Sequence, residues 1–323
     1  MPTQVDNGKA FEYSVAKAYF EHLSTRGQNV NILQDRACAV GKSKYDLFAP
    51  TEKQKFDLAS IQTINTISIL EPGLLTQRSV NDVLEISLVP DSAGQAGDVR
   101  DVIFRRRHVK PFWEVGLSVK NNHDAVKHSR LSPTIDFGRE WLGLNCTRQY
   151  FDETKVIFDQ IGALRQADPT ATWASLGTYK ATGIYKPILQ AFRAEMIRLS
   201  SQNSTVPSGL LAYLIGRHPF YKVIKDDANH CVAVKAFNLN GLLNKSFNGV
   251  RPSHSVDRIN FPTRIIEFDF VSGSDTTLMM ILDHGWQISF RIHSATTLLE
   301  KSLKFDINLI GNPPILFTQH LFI

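Results

Sequence analysis

One stretch constrains this chain more than any other: WEVGLSVK, residues 113–120, alternates apolar and polar or small positions without a break. Successive side chains of an extended backbone point to opposite sides. Trp113, Val115, Leu117 and Val119 therefore share one face of a strand, and Glu114, Gly116, Ser118 and Lys120 share the other. The preceding VRDVIFRRR (99–107) is also strand-like, and HVKPF separates the two. Pro111 has no N–H to donate and stops the first strand, so the pair is predicted to be a β-hairpin. With the turn centred near residues 110 and 111, Asp101 falls roughly opposite Lys120.

The flanking sequence predicts helices before and after this hairpin and strands towards the C-terminus. DNGKAFEYSVAKAYFEHL reads as a helix capped at Asp6 or Asn7, with Phe11, Val15, Ala18 and His22 on one stripe and Glu12 beside it. SIQTINTISIL (60–70) reads as a strand or a loop edge, and SAGQAGD (92–98) as a loop. HDAVKHSRL is predicted to be a short helix, followed by helices over 150–166 and 186–199. SSQNSTVPSG (200–209) has linker composition. Beyond it FYKVIKDD, HCVAVKAFN, TRIIEFDFV, TLMMILD, WQISFRIH and KSLKFDINLIG are strand-like. The fold expected is mixed α/β, either as a part over 1–200 and a β-rich part over 210–323 or as one continuous domain.

No run approaches the roughly eighteen apolar residues of a membrane span, and the N-terminus lacks a basic start followed by an apolar core. Cys38, Cys146 and Cys231 lie far apart and form no C-x-x-C pair. A cytoplasmic protein with buried thiols is expected. Charge is concentrated. Residues 100–130 hold eight Lys or Arg against three acids, a net of +5 that equals the formal charge of the whole chain. Such a focus, with Arg105 and Arg106 on its first strand, suits a polyanion.

Phosphodiester hydrolysis needs charge neutralisation, hydroxide near neutral pH and help for the leaving oxygen. Acidic oxygens holding a divalent cation beside a lysine supply these. Paired strands lie about 5 Å apart, so Asp101 and Lys120 are brought close. Asp98 points to the other face unless the chain bends. Ser118 occupies the position where a second acid is expected, and Glu114 is about 20 Å from Lys120 along the strand. Glu12 is a candidate for that acid if the first helix packs over the sheet edge.

GDVRDVIF…WEVGLSVKNNHDAVKHSRLS, GWQISFRIHSATTLLEKSLKFDINLIGNPP, NGKAFEY and FYKVI…FNLNGLLN together resemble the HaeIII family of type II restriction endonucleases. The resemblance implies a Mg²⁺-dependent nuclease with a variant PD-(D/E)XK core, a mixed sheet flanked by helices. It implies cutting of double-stranded DNA at GGCC and pairing with a protective methyltransferase. A homodimer is a further expectation beside these. On the ground of the resemblance Asp98 and Asp101 match the acidic strand of the motif and Lys120 its lysine. The acid missing at Ser118 would move to a helix, to Glu12 or Glu140. Asn121, Asn122 and His123 would line the scissile phosphate, and Lys127, His128 and Arg130 the DNA backbone. Arg264, Arg291 and Lys304 are candidates for reading bases. Two other readings stand beside this one. The first is a non-catalytic DNA-binding regulator. The second is an HNH-type nuclease with His123 as general base.

Overall fold

The structure, a computed structural model, describes residues 2–79, 81–90, 97–107, 112–122, 125–127 and 129–323. The chain forms two compact units, each assembled from separate segments. One comprises Met1–Asp124, Arg217–Ile259 and Ile315–Ile323, and the other Ala125–Gly216 and Asn260–Pro314. This differs from the expected division into 1–200 and 210–323. Strands far apart in sequence pair with one another, residues 117–121 with 221–225 and residues 125–131 with 303–308 where described, and backbone pairing across that distance decides which segments fold together.

The first unit opens with α1 (Gln4–Thr25). Its cap is Thr3, three or four residues earlier than the Asp6 or Asn7 that the sequence suggests. Thr3 and Asp6 form a reciprocal capping box, the Asp6 N–H donating to Thr3 Oγ1 and the Thr3 N–H to Asp6 Oδ2. The buried stripe runs through Phe11, Val15, Tyr19 and Leu23, and Glu12 is buried beside it. Next come β1 (Val30–Ile32), α2 (Arg36–Asp46) and α3 (Pro50–Leu70). Residues 60–70 are thus helical rather than extended. Ser60, Thr63, Ile64, Ile67 and Leu70 are buried at helical spacing. The Ser60 and Thr63 hydroxyls donate back to the Phe56 and Ala59 carbonyls, which accommodates β-branched and hydroxyl residues within a helix.

A mixed sheet of seven strands follows, built from β1, β2 (Leu84–Leu88), β3 (Val102–Arg106), β4 (Trp113–Asn121), β7 (Phe220–Asp226), β8 (Cys231–Phe237) and β13 (Thr318–Phe322), in that spatial order. β4 runs antiparallel to β3 and parallel to β7. It is a central strand, so Gly116 and Ser118 are buried as well as Val115, Leu117 and Val119. The helices α1 and α3 pack with the apolar face of this sheet in one core that includes Phe11, Tyr19, Phe56, Ile67, Phe104, Leu117 and Val223. The β3–β4 hairpin is present, with its tip outside the described residues.

The second unit holds an antiparallel sheet of β5 (Ala125–Lys127), β12 (Leu303–Gly311), β11 (Gln287–Ser294), β10 (Thr277–Leu282) and β9 (Ile265–Phe270), with β6 (Arg130–Leu131) also paired to β12. In place of the short helix expected over 123–131, residues 125–127 and 130–131 are strand. Pairing with β12 satisfies their backbone, whereas a helix this short must bear a costly nucleus for very few hydrogen bonds. Helices α4 (Arg148–Ala167), α5 (Lys186–Gln202) and α6 (Val206–Ile215) complete the unit. The linker expected over 200–209 is mostly helix, belonging to α5 and α6, and only residues 203–205 turn, with the Thr205 N–H donating to Asn203 Oδ1. Phe192 lies in the aromatic core, in ring contact with Phe137, Trp141, Phe268, Phe290 and Phe305. All three cysteines are buried and free.

Candidate active site

The hairpin register pairs Val102 with Leu117, and the Asp101 N–H continues it by donating to the Leu117 carbonyl at 2.7 Å. Asp101 consequently lies opposite Ser118, two residues short of the expected Lys120. Both positions belong to the same face, so the side chains still meet. Asp101 Oδ2 accepts from the Val119 N–H at 2.7 Å, from Lys120 Nζ at 2.9 Å and from Ser118 Oγ at 3.3 Å. All three donors fall on one oxygen. Oδ1 is left without a hydrogen bond among the described residues.

Glu12 joins this pair from α1. Burial first, and then the charge of Asp101, push its carboxyl up to about 8, against the opposing pull of Lys9 and Lys120. Burial works to depress the Lys120 ammonium, but the charge and hydrogen bond of Asp101, helped by Glu12, outweigh it and raise the pKa. Lys9, one turn before Glu12, places Nζ 2.9 Å from Glu12 Oε2. Glu12 and Lys9 also line a cleft of about 530 Å³ with Asp35, Arg36 and Leu88.

Two carboxylates, each with an oxygen that takes no hydrogen bond among the described residues, are a donor set suited to a hard divalent cation. Mg²⁺ is held by one or two carboxylates together with waters and substrate phosphate oxygens, so no closed cage is required. Burial is the main cause of the rise at Glu12, and the Asp101 charge that adds to it has the sign a cation would relieve. The residues present fit the metal.

Asp98 takes a different position. Arg100 donates to both of its oxygens, Nε to Oδ1 at 2.8 Å and Nη2 to Oδ2 at 2.7 Å, and also pairs with Glu114. Burial works to raise the Asp98 carboxyl, but these bonds bring it below the usual range. Gly116 makes the arrangement possible, because a Cβ there would come within 2.1 Å of Arg100 Cδ. No hydrogen bond or ion pair joins Asp98 to Asp101 among the described residues.

The candidate DNA contacts separate in the same way. Arg105 pairs with Glu114 and donates to Ser87 Oγ. Arg106 is a correction to the expectation of DNA contact. Its side chain is fully buried, paired with Asp82 and donating to the Gly73 and Leu74 carbonyls. A side chain so enclosed reaches no phosphate. Asn121 and Asn122 are bonded to residues of β7 and the turn after it. Arg130 is exposed on β6, and Lys127 lies on β5. His123 and His128 lie outside the described residues. Glu140 is exposed in the second unit. Arg291 and Lys304 lie on the strands of that unit's sheet, and Arg264 immediately precedes β9. Lys9 and Arg100 were missed by sequence reasoning, although Lys9 stands at helical spacing from Glu12.

The family model for the HaeIII restriction endonuclease matches residues 8–313. The chain belongs to the HaeIII restriction endonuclease family. The type II restriction enzyme HaeIII of Haemophilus aegyptius is 38% identical over 309 residues, covering 95% of this chain and 94% of that enzyme. No solved structure matches. As a member of the HaeIII family the chain is a site-specific deoxyribonuclease, which removes the non-catalytic regulator from consideration. Identity of this extent covers both units, so the HaeIII-family relationship includes α1 and the β3–β4 hairpin.

Proposed function

We propose that this chain cuts double-stranded DNA at GGCC in a Mg²⁺-dependent reaction, with Asp101 and Glu12 as the acidic ligands. Lys120 is the group that orients the attacking water. The observation that carries this reading is the approach of Lys120 Nζ to Asp101 Oδ2 at 2.9 Å, with Glu12 in the same electrostatic environment. Membership of the HaeIII family supports the reaction class, and kinship with HaeIII supports the site GGCC.

Asp101 and Glu12 would hold the divalent cation, which would supply Lewis-acid polarisation of the phosphate and acidify water. The protein's own groups do the remaining work. Ser118 Oγ and the Val119 N–H hold Asp101 through Oδ2, which leaves Oδ1 available to a ligand. Lys120 remains an ammonium at neutral pH, since its pKa is raised. It therefore acts by donating hydrogen bonds to water and to the phosphate oxygen on which charge develops, rather than by taking a proton. Asp98 stays with Arg100 and Glu114 and braces the entry to β3.

Arg130, Lys127 and His128 are assigned to the DNA backbone, and a palindromic site is read by two copies of the chain. A methyltransferase of the same specificity protects the host DNA, with both proteins in the cytoplasm of a bacterial or archaeal cell. No described helix is long and apolar enough to cross a membrane. The test is digestion of unmethylated DNA with and without Mg²⁺, followed by sequencing of the fragment ends. Ends falling within GGCC only when Mg²⁺ is present are expected. Intact DNA, or ends unrelated to GGCC, would overturn the reading.

A further inference from the structure

The two asparagines after Lys120 were expected against the scissile phosphate, yet their side chains are committed elsewhere. Asn121 lies beside Lys225 in the parallel β4–β7 register, one step beyond the pairing of Lys120 with Ile224. Lys225 is only 2% exposed. Its Nζ donates to Asn121 Oδ1 at 3.1 Å, lies 5.3 Å from the Phe56 ring centroid and pairs with Asp227. A buried ammonium needs such partners, because its desolvation is otherwise uncompensated.

Asn122 closes the arrangement from the other side. Its backbone adopts a left-handed φ of 60°, which Asn tolerates better than most residues. Its N–H donates to the Lys225 carbonyl at 2.7 Å. Its side-chain amide donates to Asp227 Oδ2 at 2.7 Å, and its Oδ1 accepts from the Asp227 N–H at 2.8 Å. Both ends of the amide are occupied, and the carboxylate beside them would repel a phosphate.

We propose that Asn122, Lys225 and Asp227 form a clasp that positions Lys120 for the reaction. The proposal rests on the assignment of Lys120 as the catalytic lysine. Strand ends fray where nothing holds them, and Lys120 is the penultimate residue of β4. The clasp fastens the residues immediately after it to the end of β7, so that Lys120 Nζ stays on Asp101. Misplacement of a reacting group by about 1 Å costs on the order of a hundredfold in rate, so a small loosening is visible. None of the three clasp residues needs to touch DNA. They are positioning residues.

The test compares single-turnover cleavage at saturating DNA with DNA affinity measured without divalent cation. Asn122→Gly keeps the left-handed backbone and removes the amide. Asp227→Asn keeps the shape but presents an N–H₂ to one of its two donors. Each variant is expected to cleave about tenfold more slowly with affinity within about twofold of wild type, and the double variant is expected to be no slower than either single one. Three results would overturn the clasp. These are a wild-type rate for Asn122→Gly, weaker DNA binding with an unchanged saturated rate, and a loss of about a hundredfold in the double variant, which would signify independent contributions. Lys120→Ala in the same assay separates the two ideas. Cleavage surviving there overturns the assignment of Lys120, whereas full activity in the clasp variants beside an inactive Lys120→Ala overturns the clasp alone.

Discussion

Lys120 Nζ stands 2.9 Å from Asp101 Oδ2, although the two residues are 19 positions apart. The β3–β4 register makes this contact, and the Val119 N–H and Ser118 Oγ on the same oxygen fix the carboxylate's orientation. Three donors on one oxygen leave the other for a ligand.

The acid absent from position 118 is assigned to Glu12 rather than Glu140. Glu12→Gln keeps the shape and removes the charge, and it should lower the single-turnover rate by roughly two orders of magnitude or more. Glu140→Gln should remain near wild type. The reverse ranking in a cleavage assay would move the second acid to the other unit.

Arg106 ties β3 to the segment that holds Gly73, Leu74 and Asp82. Its guanidinium is enclosed with Asp82, so Arg106→Ala leaves a buried carboxylate without its counter-charge, a loss of about 3–5 kcal/mol. Urea unfolding measures it. DNA affinity of the fraction that remains folded should be unchanged, and a selective loss of affinity would restore Arg106 to the DNA contacts.

Gly116 gives Arg100 its place. In Gly116→Ala the new methyl meets Arg100 Cδ and must displace it from Asp98 and Glu114, a cost of about 1–3 kcal/mol by overpacking. A thermal midpoint equal to that of wild type would show that Arg100 moves aside freely.

Arg130 faces Lys304 across β6 and β12. Like charges opposite one another on a sheet are unfavourable, which a phosphate backbone would relieve. Arg130→Ala should weaken binding to all DNA sequences alike and reduce the slope of log affinity against log salt by about one. An unchanged slope would exclude a phosphate contact.

Glu71 adds a pH dependence to stability. It is 1% exposed and its carboxyl is pushed up to about 7, chiefly by burial, against hydrogen bonds from the Asn244 N–H and Tyr221 OH. The folded state therefore holds the proton more tightly than the unfolded chain. This contribution is fully present below about pH 4.5 and is lost as pH rises to about 7, with a magnitude of roughly 3 kcal/mol. Glu71→Gln should gain stability relative to wild type over that window in urea titrations. Parallel pH profiles for the two proteins would contradict the assignment.

Several features were legible in the sequence because they are local. Unbroken alternation over 113–120 predicts β4 in any context, helical spacing predicts α1, α4 and α5, and the apolar runs near the C-terminus predict β7 to β12. The meeting of Asp101 with Lys120 also survives an error of two residues in register, because a shift of two keeps both side chains on one face. Where a segment's partner lies far away in sequence, local pattern misleads. Residues 60–70 carry β-branched residues yet bury a helical face, and 125–127 and 130–131 pair with β12 instead of forming a short helix. Arg106, Glu71 and Lys225 look like surface charges in the sequence, and only packing against distant strands encloses them. The sequence by itself determined which groups are available for chemistry and the period of the strand that carries them. The tertiary structure decided which of those groups are consumed by ion pairs and which keep an oxygen open, because burial and cross-strand register are properties of pairs of segments that no single segment encodes.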